Sequence, residues 1–286
     1  MPDIPAATIA AANEKSRRLR ELIQAPEVLV MPGAFNVLSA LLFQQLGFKA
    51  IQGSSAAIAN AAGRHDLAVG REKTVAVTGE IAAAVSLPVN ADGEDGFGGP
   101  DEVRETVRQF VAAGVAGMNM EDAAHEGGKV TLHPLEYQLE KISAFMDERK
   151  RLGSDFCLNA RTDAFLAHRD DPTAGLKEAI RRGQAYADAG AECVFTWGTI
   201  DPKAIGAFAK EVPAPVSFIA VPGSPSVPEM QKLGVARVSF GSAFLYAAAG
   251  GVKSLAEEVL GPGTMTSLEG GITRNELRAL IDRRLG

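Results

Sequence analysis

The stretch Pro100–Asp122, PDEVRETVRQFVAAGVAGMNMED, decides the fold. Val103, Val107, Phe110 and Val111 recur at spacings of three and four, the period of a helix with one apolar face. Gly114 ends that helix. Val115 to Met120 then reads as a buried strand, and two acids, Glu121 and Asp122, follow at its C-terminal end. The unit is therefore helix, glycine stop, apolar strand and charged strand end.

Working outward, the same unit recurs. Strands are expected at Val28–Met31, Ala50–Gly53, Leu87–Ala91, Phe156–Ala160, Cys193–Thr196, Val216–Ala220 and Arg237–Phe240. Asn36 caps a helix carrying Val37, Leu38, Leu41, Leu42 and Leu46 that stops at Gly47. Further helices are expected at about Glu72–Val85, Leu135–Lys150 and Thr173–Ala189. Strands apolar on both faces and separated by helices form a parallel sheet covered on both sides. Eight such strands predict an α/β fold, a closed (β/α)8 TIM-type barrel, because an open doubly wound sheet normally uses fewer.

No linker divides the chain, so a single domain over 1–286 is expected, with the barrel at about 27–248 and a C-terminal extension at about 249–286. Residues 6 to 25 read as an N-terminal helix bearing Lys15, Arg17, Arg18 and Arg20. Near the other end, Thr273 and Glu276 form a capping box, and Leu277, Leu280, Ile281 and Leu285 a stripe. That helix lies beyond the eighth strand, so its stripe is expected on the barrel's outside or on another subunit.

The composition limits the function classes. The 286 residues are 46% hydrophobic with a net charge of -6, and no basic stripe suggests nucleic acid. No apolar run approaches the roughly 20 residues of a membrane span, and no secretory signal is evident. A cytoplasmic protein without membrane or nucleic-acid partners is expected. Cys157 and Cys193 lie in apolar runs and read as core residues of a protein in a reducing compartment.

In a barrel the chemistry sits on loops after the C-terminal strand ends. There the sequence places Gly53-Ser54-Ser55, then Asp66, then Asp92-Gly-Glu94-Asp95-Gly-Phe-Gly-Gly99, then Glu121-Asp122, then Arg161-Thr162-Asp163. Three acidic clusters on adjacent strand ends repel one another, and a hard divalent cation relieves that repulsion. Magnesium suits a site of one or two carboxylates completed by waters and substrate oxygens, and manganese is a possible substitute. His and Cys are missing from these strand ends, which argues against zinc. Arg161 is expected to reach the barrel mouth, to pair there with a substrate carboxylate or with a neighbouring acid.

These motifs in this order resemble the isocitrate lyase and phosphoenolpyruvate mutase superfamily, over about residues 28 to 245, and Thr273–Leu277 resembles the C-terminal helix of 2-methylisocitrate lyases. The resemblance implies that Asp92 is the principal magnesium ligand, with Glu94 and Glu121 acting mainly through waters and Asp66 near those waters. It implies that Ser54, Ser55 and the backbone of Ala56 take the substrate's carboxylate end, with Arg161 on another anionic oxygen. It further implies a homo-oligomer, dimer or tetramer, whose last helix swaps onto a neighbour. The shared chemistry is an enolate-like intermediate of a small carboxylate.

The sequence departs from the family at two points. Where the lyases carry a K-[KR]-C-G-H loop, this chain reads Ala123-Ala-His125-Glu126-Gly-Gly-Lys129-Val130, and the P-K-x-N-S loop of phosphonate-processing members is missing too. Trp197 stands where mutases place a histidine. His125 is a candidate general acid or base, with an exposed loop histidine as the alternative. Trp197 is a candidate substrate contact. The expected activity is a lyase cleaving a C–C bond of a 2-oxo or 2-hydroxy acid. The alternatives are C–P cleavage or rearrangement, a non-catalytic 2-oxo acid binder, and a ketopantoate hydroxymethyltransferase-like enzyme, for which no folate-linked signature is seen.

Overall fold

A computed structural model describes residues 4–126 and 129–285 of the chain. Of the residues singled out above, Gly127, Gly128 and the side chains of Glu126 and Leu285 lie outside that description.

The chain begins with α1 (Ala6–Gln24), β1 (Leu29–Met31) and β2 (Gly33–Ala34). It continues with α2 (Val37–Gln45), β3 (Ile51–Gly53), α3 (Ser55–Ala61), α4 (Gly70–Ala84), β4 (Val89–Asp92), α5 (Pro100–Ala112) and β5 (Gly117–Glu121). A hairpin, β6 (Ala123–Glu126) and β7 (Lys129–Leu132), precedes α6 (Leu135–Arg151) and β8 (Cys157–Thr162). Next come α7 (Ala164–Ala167), α8 (Pro172–Asp188), β9 (Cys193–Thr196), α9 (Pro202–Glu211), β10 (Val216–Ile219), α10 (Val227–Lys232) and β11 (Arg237–Ser239). The chain ends with α11 (Ala243–Leu260) and α12 (Arg274–Leu285).

The main sheet runs β1-β11-β10-β9-β8-β5-β4-β3-β2, and all its pairings are parallel. β1 and β2 are two pieces of one extended segment interrupted by Pro32, which has no N–H to give a ladder. β1 pairs with the last strand and β2 with β3, while the Pro32 carbonyl accepts the Gln52 N–H at 3.0 Å. The nine strands therefore fill the eight positions of a nearly closed TIM-type barrel, as the sequence predicts. Gly33 is needed at this junction, since a Cβ there would lie 2.0 Å from the Gly241 carbonyl oxygen.

The helices form where the sequence places caps. The Asn36 side chain accepts the Ser39 N–H at 2.9 Å, and Asp171 and Asp201 cap helices that open with Pro172 and Pro202. Gly114, at φ 73°, makes the left-handed exit from α5. Outside the barrel the main core packs Val103, Val107, Phe110, Phe145, Phe156, Tyr186 and Phe208 between helices and strands.

The charged helix predicted at the N-terminus has a second face. Leu19, Leu22 and Ile23 of α1 cluster with Leu29, Met31, Ala50, Ala116, Cys157 and Cys193, closing the barrel's N-terminal end. Both cysteines are buried and free, as expected of core residues, and burial pushes each thiol up to about 12.

The C-terminal region differs in character. No residue of α11 is buried, and Tyr246, Val252, Val259 and Leu260 are exposed along it. In α12 Leu280 is buried, in the same apolar cluster as Leu41 of α2, so this residue of the predicted stripe docks on the outside of its own barrel, while Ile281 is exposed. No described helix is long and apolar enough to cross a membrane.

Candidate active site

The strand ends converge on a cleft of about 450 Å³ at the C-terminal mouth of the barrel. Ser54, Ser55, Ala56, Asp66, Asp92, Glu94, Glu121, His125, Arg161, Asp163 and Trp197 line it, whereas Asp95 and Asp122 do not. Sequence reasoning missed the opposite wall, made by Leu166, Ile219–Pro222 and Phe240–Ala243, together with Leu67, Val130, Arg169 and Tyr246. These are mostly apolar loop residues, and no motif marks them.

The acids stand together. Asp92 ends β4, and the Ser55 hydroxyl donates to its Oδ2 at 3.0 Å. Burial raises the Asp92 pKa, opposed by the charge of Arg161 and by that hydrogen bond. Glu94 is a buried residue at φ 48°, a strained conformation for a side chain of this size. Its carbonyl accepts the Glu121 N–H at 2.8 Å, fixing the turn to the neighbouring strand. Burial, then the charges of Asp92 and Glu121, push Glu94 up to about 8, and its Oε1 is buried without a hydrogen-bond partner. Burial also pushes Glu121 up, opposed by the charge of Arg161. Asp66 is exposed on the loop after α3, and its charge still reaches Asp92 and Glu94.

The glycine-rich turn is anchored from behind. Asp95 Oδ1 accepts the Phe97 N–H at 2.9 Å, and Oδ2 faces the ammonium of Lys141, a fully buried residue of α6, at 3.5 Å. Asp95 thus shapes the loop that presents Glu94.

Arg161 takes the second of the two partners the sequence allows. Its Nε and Nη2 donate to the two oxygens of Asp163 at 2.7 and 2.8 Å, a bidentate grip. Its Nη1 stands 2.5 Å from Glu121 Oε2. Burial works against the charge, but Asp163 and Glu121 outweigh it and hold the guanidinium's pKa above its usual value. A guanidinium has five N–H groups, so donors remain at its outer end. Trp197 donates its indole N–H to Asp163 Oδ1 at 3.2 Å, and its ring lies 5.5 Å from the Arg161 guanidinium carbon. The indole's polar edge is therefore engaged, and only its ring is offered to the cleft.

Behind these lies a buried network that sequence reasoning did not resolve. Asp122 is fully buried; it accepts from the Tyr186 hydroxyl at 2.6 Å, Arg182 Nη1 at 3.0 Å and the Asp163 N–H at 2.9 Å. Arg182 also donates to the His133 carbonyl at 2.8 Å. Helix α8 thereby fixes the ends of β5 and β8 and the base of the hairpin. His125 sits on that hairpin, half-exposed, with Nε2 3.9 Å from Glu121 Oε1, and the Glu121 carboxylate raises its pKa.

Ser54 caps α3, its hydroxyl accepting the Ala57 N–H at 3.3 Å. The N–H groups of a helix's first turn have no intrahelical partner, and Ser55 and Ala56, at the start of α3, lie at the cleft edge.

Comparison with known proteins identifies the family of the chain. The family model described as Phosphoenolpyruvate phosphomutase matches residues 19–260. A protein of Corynebacterium glutamicum called a probable 2-methylisocitrate lyase 2 is 34% identical over 213 residues, 72% of this chain and 66% of its own length, just under two thirds. The solved structure of oxaloacetate acetylhydrolase with the inhibitor 3,3-difluorooxalacetate superposes with a TM-score of 0.84 at 28% identity, covering 94% of each chain. That of 2,3-dimethylmalate lyase, a member of the PEP mutase/isocitrate lyase superfamily, gives 0.82 at 27% identity, covering 96% of this chain and 99% of that one. On the extent of the family match, the chain belongs to the phosphoenolpyruvate phosphomutase family, among the lyases and mutases of the PEP mutase/isocitrate lyase superfamily.

Proposed function

We propose that this protein is a magnesium-dependent lyase that breaks a C–C bond of a small 2-oxo or 2-hydroxy carboxylate through an enolate-like intermediate. The observation that supports the reading most is the meeting of Asp92, Glu94 and Glu121 with Arg161 in one cleft. Three carboxylates in one cleft resist ionisation together, and the buried Oε1 of Glu94, which has no hydrogen-bond partner, suits a cation or its water. Among the described residues no group of three His, Cys, Asp or Glu side chains can enclose an ion directly. Magnesium does not need such a group, since it keeps several waters and takes one or two carboxylates. Asp92 would hold it, with Glu94, Glu121 and Asp66 on its waters; manganese fits the same oxygens. Bound there, the metal supplies positive charge at the substrate's developing oxyanion.

The chain's own groups supply the rest. The Ser54–Ala56 corner holds the carboxylate end, and the outer N–H groups of Arg161 take the oxygen that gains charge as the bond breaks. Asp163 and Trp197 keep that guanidinium in place. His125 is the candidate to move the proton, at the ring nitrogen facing Glu121. The apolar wall excludes water from the intermediate. The relatives called lyases and the oxaloacetate acetylhydrolase likeness favour C–C cleavage over C–P chemistry, for which a relative from Tetrahymena pyriformis called Phosphoenolpyruvate phosphomutase is the precedent.

The test is proton NMR of the purified protein with magnesium and a panel of oxaloacetate, 2,3-dimethylmalate, 2-methylisocitrate and phosphonopyruvate, with phosphate release read in parallel. Cleavage of a carboxylate without phosphate, abolished by EDTA, is expected. Phosphate release would replace this reading with C–P cleavage. Binding without turnover across the panel would replace it with a non-catalytic binder.

A further inference from the structure

Below the cleft the barrel interior is polar, where such barrels are usually filled by branched apolar side chains. Gln52, Asn90, Asn119 and Asn159 each stand two residues before a residue of the site: Ser54, Asp92, Glu121 and Arg161. Side chains alternate along a strand, so a spacing of two keeps both on the inward face, the amide one step deeper.

The amides are joined. Asn90 Nδ2 donates to Gln52 Oε1 at 3.1 Å and to Asn119 Oδ1 at 2.9 Å, and Asn159 Nδ2 donates to Asn119 Oδ1 at 2.8 Å. Arg237, from β11 across the barrel, completes the layer, since its Nη2 donates to Gln52 Oε1 and, at 3.3 Å, to Asn119 Oδ1. Asn119 Oδ1 thus accepts from three side chains on three other strands.

Arg237 is fully buried, and its Nη2 meets only the neutral amide oxygens of Gln52 and Asn119, with Nε and Nη1 left without a hydrogen-bond partner. Among the described residues no carboxylate forms an ion pair with it. A buried charge of this kind costs free energy, and an apolar side chain of similar volume is the more stable choice in a core. Its presence therefore calls for a reason other than stability. Its hydrogen bonds provide one, because they tie Gln52 of β3 and Asn119 of β5 to β11 directly beneath the acids of the site.

We propose that Arg237 is a positioning residue of the active site: through Gln52 and Asn119 it fixes the strand ends that present Ser54–Ala56, Asp92, Glu121 and Arg161. This inference rests on the divalent-metal reading of the cleft. It adds a layer that touches neither metal nor substrate.

The test measures manganese affinity by electron paramagnetic resonance for full-length wild type, Arg237→Met, Arg237→Lys and Asn119→Ser. Residues that orient metal ligands typically change affinity by about 10- to 100-fold. Arg237→Met is expected to lose about tenfold or more without a fall in melting temperature. Arg237→Lys recovers part of the affinity, and Asn119→Ser, which keeps the charge and cuts the link, loses affinity in the same direction. If Arg237→Met does not fold, Asn119→Ser decides. Variants that bind manganese like wild type overturn the inference and leave the metal site standing. A wild-type protein that binds no manganese overturns the metal reading, and this inference with it.

Discussion

The Tyr186 hydroxyl donates to Asp122 Oδ2 at 2.6 Å, tying helix α8 to the residue that follows strand β5. Both groups are buried, and Asp122 in turn holds the Asp163 N–H, so this bond supports the floor on which Arg161 and Asp163 meet. Hydrogen bonds to buried charges contribute about 1.5–3 kcal/mol. Tyr186→Phe should therefore lower stability by about 2 kcal/mol in urea denaturation while the protein still folds. A loss below about 0.5 kcal/mol would show that Arg182 alone satisfies Asp122.

The bidentate grip of Asp163 on Arg161 orients the cation that faces the substrate. Asp163→Asn keeps the shape and removes the charge. Misplacing a catalytic group by about 1 Å can cost about a hundredfold, so kcat/KM should fall by up to about that factor with a modest change in melting temperature. Unchanged steady-state kinetics would mean that Glu121 and Trp197 suffice to hold Arg161.

Glu178 gives a pH dependence with a definite sign. Hydrogen bonds from Arg181, together with Arg182, hold its carboxyl down at about 2. The folded value lies below the unfolded one of about 4.3, so the contribution is present above about pH 4.3 and is lost as the pH falls through about 2. The group is partly exposed, which limits the effect to no more than about 1 kcal/mol. Melting curves of Glu178→Gln should fall less steeply than wild type across this acid window; parallel curves would discard the assignment.

The exposed apolar residues of α11 predict self-association. Tyr246, Val252, Val259 and Leu260 lie on a helix with no buried residue, which is costly in a free monomer. Light scattering should give a multiple of 30.0 kDa, lowered by deleting residues 272 to 286 if the last helix reaches a neighbour. A 30.0 kDa particle for the full chain would refute the oligomer.

The barrel was legible because helical and strand periods alternate so regularly, as in Val103–Met120. The acids were legible because a strand end followed by Asp or Glu has a fixed address in this architecture. Three things were not. Asp163 shares its strand end with Arg161, and the sequence could not say whether that arginine faces substrate or its own neighbour. The β6–β7 hairpin has no strong strand signal and pairs only locally. The polar layer around Arg237 is hidden by the expectation that the strands are apolar on both faces. A signal was present there: Gln52, Asn90, Asn119 and Asn159 each break an apolar run two positions before the strand-end residue.

The central claim is that Asp92 holds a magnesium ion on which carboxylate binding depends. Isothermal titration of oxalate tests it most directly, using wild type with magnesium, wild type with EDTA, and Asp92→Ala with magnesium, each checked for folding by circular dichroism. Binding is expected in the first case and none in the other two. Equal oxalate affinity in EDTA, or in a folded Asp92→Ala protein, would contradict it.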